Sequence, residues 1–332
     1  MRPIHISGIL ILFAIGCTTK PMRNYTKIEG FTQGTTYSIT YFDSLARDFS
    51  PQFDSILQRV DGSMSIYNPN STISKLNRNE LDVIDPMLAE VITVARGVWA
   101  NTDGAFDITV RPLVKLFGFG PEKVTHVDTA RIRELLPSIG MEKVHLEGNR
   151  VIKANPQVQL DVNAIAQGYT VDVLGQFLES RGISHYLVEV GGELCSRGVN
   201  SRGVAWVVGV DKPVENAIPG ENIQTKIKLS GKGLATSGNY RKFFVDNGVK
   251  YSHTINPKTG YPAQQSLLSA TVVASNATVA DAMATAFMVM GLDKAKSYLL
   301  NHPELDAYLI YCDAKGEYQV WMTDRMKALV FE

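Results

Sequence analysis

The stretch VQLDVNAIAQGYTVDVLGQFLESRGISHYLVEVGG, residues 158–192, decides the fold class. Val158 to Val162 alternates apolar and polar side chains, which predicts a short strand. Ile165 to Arg181 spaces its apolar residues as a helix does, and Gly182 supplies the left-handed stop that ends many helices. Tyr186 to Val190 is a strand pattern again, cut by Gly191-Gly192.

The same alternation extends outward in both directions. Upstream, Gly34 to Tyr41 is rich in β-branched and aromatic residues and reads as a strand, while Phe53 to Val60 and Pro86 to Trp99 have helical spacing. Downstream, Ala205 to Val210, Gln224 to Leu229 and Ala270 to Ala274 continue the strand pattern. A helix follows over Ala277 to Met290, stopped by Gly291, and a final pair of strands closes the chain. Strands in runs, interrupted by a few long helices, predict an α+β fold with mixed, largely antiparallel sheets. We expect one domain over 28–332, built from two intimate subdomains.

Composition supports a large core and narrows the function classes. The 332 residues are 45% hydrophobic, and 33 basic residues balance 33 acidic ones. Zero net charge offers no field for nucleic acid. Cys195 and Cys312 belong to no CxxC or Cys/His pair, which argues against zinc and leaves free thiols or one disulfide open. GxxxxGK[ST], HExxH and GxSxG motifs are absent, so the commonest nucleotide, zinc-peptidase and hydrolase signatures do not apply.

The N-terminus has its own logic. A basic start is followed by the apolar run Ile6 to Ile15, about half a bilayer span, which reads as a signal peptide over residues 1–16. Ala14-Ile15-Gly16-Cys17 resembles the lipobox of bacterial lipoproteins, with Ala14 where Leu is usual. Cys17 is therefore the expected lipidation point, and residues 17–27 the tether of an exported protein held at a membrane and facing the periplasm.

Four polar clusters carry the candidate chemistry. Asp107 lies among apolar residues in Ala105-Phe106-Asp107-Ile108-Thr109, where a turn or cap role competes with a ligand contact. Asp161 and Asn163 precede the helix of the opening stretch as candidate caps, while Ala164, Ala166 and Gly168 would let a ligand approach the backbone. Ser237 to Arg241 and Ser252 to Pro262 form a shaped, turn-rich region bearing His253 and two phosphate-seeking cations, Arg241 and Lys258. Asp281 and Thr285, four apart on one helical face, offer hard oxygens suited to Mg²⁺, yet Thr278-x-x-Asp281 equally fits a capping box.

Taken in order, these clusters resemble the ApbE-type FAD:protein FMN transferases over nearly the whole chain after the tether. The resemblance rests on Met64-Ser65-Ile66-Tyr67, Gly104 to Thr109, Pro112-Leu113-Val114, Phe117 to Gly120, Asp161 to Gly168, Val190 to Glu193, and Ser252 to Gly260 with Asp281 and Thr285. It implies flavin and adenosine contacts from Tyr67, Ala105, Phe106, Asp107, Asp161 and Ile255. It implies metal contacts from the Ala164 carbonyl and the Asp281 and Thr285 side chains. Gln33 and Gln167 stand in the cofactor region where the family usually has Met and Lys, and Asn256 replaces a common Asp.

The implied reaction is Mg²⁺-dependent transfer of FMN from FAD to a threonine hydroxyl of an acceptor protein, releasing AMP. His253 and Asp281 are the catalytic candidates, with His253 assisting deprotonation of the threonine or binding phosphate. The resemblance points to acceptor subunits of sodium-pumping NADH:quinone oxidoreductase or Rnf-type complexes. Two other classes remain open at this level: an FAD pyrophosphatase using water as acceptor, and a non-catalytic flavin-binding lipoprotein.

Overall fold

The computed structural model describes residues 24–121, 124, 127–214, 220–239, 243–246, 249–263 and 266–331. The signal segment, Cys17 and Arg241 lie outside them. The chain opens with the hairpin β1 (Thr26–Thr32) and β2 (Thr35–Tyr41), two residues ahead of the expected start. Helices α1 (Ser50–Met64), α2 (Thr72–Asn77), α3 (Pro86–Asn101), α4 (Arg111–Leu116) and α5 (Ile132–Leu135) follow, then the small hairpin β3 (Val144–Glu147) and β4 (Arg150–Lys153). Helix α6 (Ala166–Ser180) leads to β5 (Tyr186–Val190), β6 (Glu193–Arg197), β7 (Trp206–Asp211), β8 (Ile223–Leu229) and β9 (Lys232–Gly238). After β10 (Phe243–Asp246), β11 (Val249–Ser252) and β12 (Leu267–Ala274) come α7 (Ala277–Met290), α8 (Leu292–Asn301), β13 (Asp306–Cys312), β14 (Tyr318–Met322), α9 (Asp324–Leu329) and β15 (Val330–Phe331).

Eight strands form the central sheet in the order β1-β2-β5-β6-β9-β12-β13-β14. Every neighbouring pair in it is antiparallel. Alternation along the strands sorts side chains onto two faces. Ala235, Ala270, Val272, Ala274, Ala307 and Leu309 join the core under α7 and α3, and Ile39, Val188 and Val190 pack under α1 and α6. The opposite face presents Leu194, Leu234, Val273, Tyr308 and Ile310 to a three-stranded sheet, β15-β8-β7. Helices, large sheet and small sheet therefore stack as three layers.

Several sequence expectations change in the structure. Val158 to Val162 is not a strand: Asn77 takes Leu160 by both backbone groups, and only an isolated bridge joins Gln159 to Val110. A side-chain amide here replaces a strand partner. Asp161 and Asn163 do not cap α6, whose N-cap is Ile165 without a side-chain bond. Helix α9 and β15 follow the expected final strand pair. Both described cysteines are free.

Helix α7 is almost wholly buried, and its small residues allow it to press onto the sheet. The tightest approach is at Gly233 of β9, where a Cβ would sit 2.0 Å from Ala277 N. Gly233→Ala should therefore cost more than about 2 kcal/mol, because backbone rather than a flexible side chain must yield. Gly62→Ala, in α1 with open space around it, should gain roughly 0.5–1 kcal/mol. Thermal unfolding of both checks this; a Gly233→Ala protein melting with the wild type would show that α7 does not sit so close.

Candidate active site

The site grows from the crossing of α6 and α7. Two sets of hydrogen bonds, one helical turn apart, fix its sense. Asp172 of α6 accepts from Ala277 N at 3.0 Å and from Thr278 N and Oγ1 at 2.8 and 2.5 Å. Gly168, one turn earlier, donates its amide to Asp281 Oδ2 at 3.0 Å. The helices thus run antiparallel.

The start of α6 leaves backbone groups without helical partners. Ala164 precedes Ile165, the N-cap of α6 at φ −152°, so the Gly168 N–H is one of the first-turn amides that have no intrahelical acceptor, and Asp281 supplies one. Ala166 N reaches Val162 O and Tyr169 N reaches Ile165 O, and Ala164 O accepts no backbone hydrogen bond among the described residues. Only glycine allows the Asp281 contact, since a Cβ at 168 would lie 2.4 Å from Ala277 O and 2.8 Å from Asp281 Cβ.

Asp281 is 6% exposed, and burial is the main cause that lifts its pKa from 3.8 to about 7. The Gly168 N–H opposes that rise, and the Asp172 charge adds to it. Thr285, half-buried, has its hydroxyl 3.1 Å from Ser237 Oγ of β9. Asp281 and Thr285 thus present a carboxylate and a hydroxyl on one face of α7. Among the described residues no group of three or more His, Cys, Asp or Glu could hold a metal ion. A lightly charged oxygen set of this kind fits Mg²⁺, which keeps water and substrate phosphate as its other ligands.

The capping-box reading of Asp281 gives way. Asn276 caps α7 by accepting from Val279 N at 2.9 Å, and Thr278 is spent on Asp172. Asp172 itself was not singled out in the sequence; burial raises its pKa against three stabilising hydrogen bonds. Its signal is an acid one turn beyond Gly168 on an apolar helix.

A cleft of about 490 Å³ is lined by Trp99, Asp103, Gly104, Asp107, Gly140 and Lys258 among others, none of them from α6 or α7. Asp107 accepts from Thr109 N and Oγ1 at 2.8 and 2.6 Å and from Met141 N at 3.2 Å, so it also braces the loop that carries it. Burial drives its pKa up against those bonds. Ala105 is half-buried, whereas Phe106 is a core residue, and Ile255 packs with Leu113 and Phe117. The Phe106 and Ile255 side chains are thus committed to the core, and their backbones are what a ligand could meet. Lys258 pairs with the exposed Asp103 at 2.5 Å.

The remaining candidates have defined neighbours. Asp161 is buried 3.9 Å from the buried Arg111, and its Oδ1 accepts from Asn163 N at 3.0 Å. Tyr67, just beyond α1, is exposed. Gln33, at φ 50° in the β1–β2 turn, donates to Thr170 Oγ1 at 2.7 Å. Gln167 lies against Gly191, where a Cβ would come within 2.5 Å of its Nε2. His253 is half-buried, edge-on to Phe119 at 6.4 Å between ring centroids.

The ApbE family model matches residues 33–309. The chain belongs to the ApbE family. Curated relatives named FAD:protein FMN transferase include that of Vibrio cholerae, 35% identical over 89% of both chains, and that of Escherichia coli, 33% identical over 96% of this chain and 95% of that one. The flavin transferase ApbE from Vibrio cholerae matches in structure with a TM-score of 0.82 at 32% identity, covering 92% of this chain and 99% of that one. An ApbE protein from Thermotoga maritima gives 0.81 at 30%, over 93% and 100%.

The raised pKa of Asp281 makes a stability prediction for the metal-free protein. Folding holds the Asp281 proton more tightly than the unfolded chain does, so the resulting stabilisation is full below about pH 4 and is lost as pH rises through about 7. Asp281→Asn has no such loss. In EDTA, the melting temperature of Asp281→Asn minus that of wild type should climb by several degrees between about pH 5 and 8. A difference that stays flat across that range would show that the carboxylate is not held in so dry a place.

Proposed function

We propose that the chain transfers FMN from FAD to a threonine hydroxyl of an acceptor protein, with Mg²⁺ required and AMP released. Family membership supports the flavin-transfer class, and the curated relatives' shared name supplies donor and group. The observation that carries the Mg²⁺ reading is the buried Asp281 carboxylate, one turn before Thr285 on α7, with the Ala164 carbonyl ahead of α6 taken by no backbone amide among the described residues. A binding protein for flavin alone has no use for such a set of oxygens.

The reaction balances with the residues present. The threonine oxygen bonds to the phosphorus on the riboflavin side of FAD, the pyrophosphate P–O bond to the adenosine side breaks, and AMP departs with the bridging oxygen. Bound Mg²⁺ would offset the pyrophosphate charge. Ala164, Asp281 and Thr285 would hold it. His253 would take the threonine proton, Tyr67, Asp107 and Asp161 would contact the flavin or adenosine by side chain, and Ala105, Phe106 and Ile255 by backbone. Gln33 and Gln167 would border the phosphates as neutral donors, and Gln167, where the family usually has Lys, would make the grip on FAD depend less on salt.

On the same reading the chain is an exported lipoprotein anchored through Cys17. Its acceptors would be subunits of a sodium-pumping NADH:quinone oxidoreductase or Rnf-type complex. Incubation with FAD, Mg²⁺ and such a subunit should raise the subunit's mass by FMN less water. Asp281→Asn should lower the rate by more than about 100-fold at limiting Mg²⁺, with partial recovery at high Mg²⁺, and Thr285→Val by about 10-fold. FAD consumed with the acceptor unmodified would instead identify a pyrophosphatase, and near-normal turnover by Asp281→Asn would remove the metal assignment.

A further inference from the structure

The chain's described N-terminus is fastened to the small sheet. Tyr25 packs edge-to-face on Trp206 at the start of β7, with 5.6 Å between ring centroids, and its hydroxyl donates to Val199 O. Eight Cα steps separate Tyr25 from Cys17, a reach of at most about 28 Å. A domain of this size is about 50 Å across. If Cys17 carries the lipid, as the reading above has it, only surfaces around Tyr25 can meet the membrane.

The surface there has suitable chemistry. The inward side chains of β7 and β8 pack on the central sheet, while the outer face shows Val207, Ile223 and Phe331 at 39%, 43% and 37% exposure. Ile223 covers Gly209, and the exposed Lys226 and Lys228 stand between β7 and β15, each opposite an outward residue of β7. Lys228 Nζ lies 5.4 Å from the Phe331 ring centre. Apolar side chains interleaved with lysines suit a boundary between headgroups and acyl chains, with the amines toward anionic phosphate.

We infer that the outer face of the β15-β8-β7 sheet rests on the anionic membrane surface. The helix layer carrying Asp281 and Thr285 then lies on the side of the central sheet away from the lipid. This inference rests on the anchor reading and extends it to an orientation. The test uses the full-length chain purified from membranes, with acylation of Cys17 checked by mass, in vesicles of phosphatidylethanolamine and phosphatidylglycerol. Single nitroxides are placed at Val207→Cys or at Gln58→Cys on the exposed side of α1, in a Cys312→Ser background. A headgroup-borne nickel chelate should relax the Val207 label at least about 3-fold more than the Gln58 label, and combined Lys226→Glu and Lys228→Glu should erase the difference. Equal relaxation in acylated protein overturns the orientation while leaving the anchor intact. Cys17 without acyl mass rejects the anchor and the orientation together. A Val207 label shielded only when an acceptor protein is added gives the face to a protein partner instead.

Discussion

The hydrogen bond from the Gly168 amide to the Asp281 carboxylate is the constraint around which the site is arranged. It does two things at once. It locks α6 against α7, and it supplies the buried carboxylate with a donor. Each depends on residue 168 lacking a side chain, because Ala277 O and Asp281 Cβ occupy the space a Cβ would need. The Asp172 bonds one turn away repeat the same antiparallel ladder and hold the start of α7.

The layered fold explains why α7 can be brought so close. Alanines on the helix-facing side of β9, β12 and β13 meet the alanines of α7, and Gly233 removes the last obstacle at its N-terminus. Tight packing then excludes water from Asp281, which is what lifts its pKa. A carboxylate placed there destabilises the metal-free fold at neutral pH, a cost that a bound divalent cation would offset.

Much of this was legible in the sequence, and the exceptions are physical. Helix Ala277–Met290 and the stop at Gly291 agree with the structure because apolar period and terminal glycine act locally. The stretch Val158 to Val162 alternates like a strand but pairs with the Asn77 side chain, a partner more than eighty residues away that no local pattern reveals. The Thr278-x-x-Asp281 spacing satisfied the capping rule equally well. It lost to Asn276 and to Asp172, which belongs to another helix. Asp281 and Thr285 were readable as an i, i+4 pair of oxygens, whereas the Ala164 carbonyl came only from the family resemblance, since a backbone oxygen leaves no mark on side-chain pattern.

Anomalous diffraction from crystals grown with Mn²⁺ in place of Mg²⁺ should show one strong peak at the α6–α7 crossing, about 2.2 Å from Ala164 O, an Asp281 carboxylate oxygen and Thr285 Oγ1. That peak should vanish in Asp281→Asn. Mn²⁺ bound elsewhere, with Ala164 O outside its coordination shell, would contradict the assignment of these three oxygens to the metal.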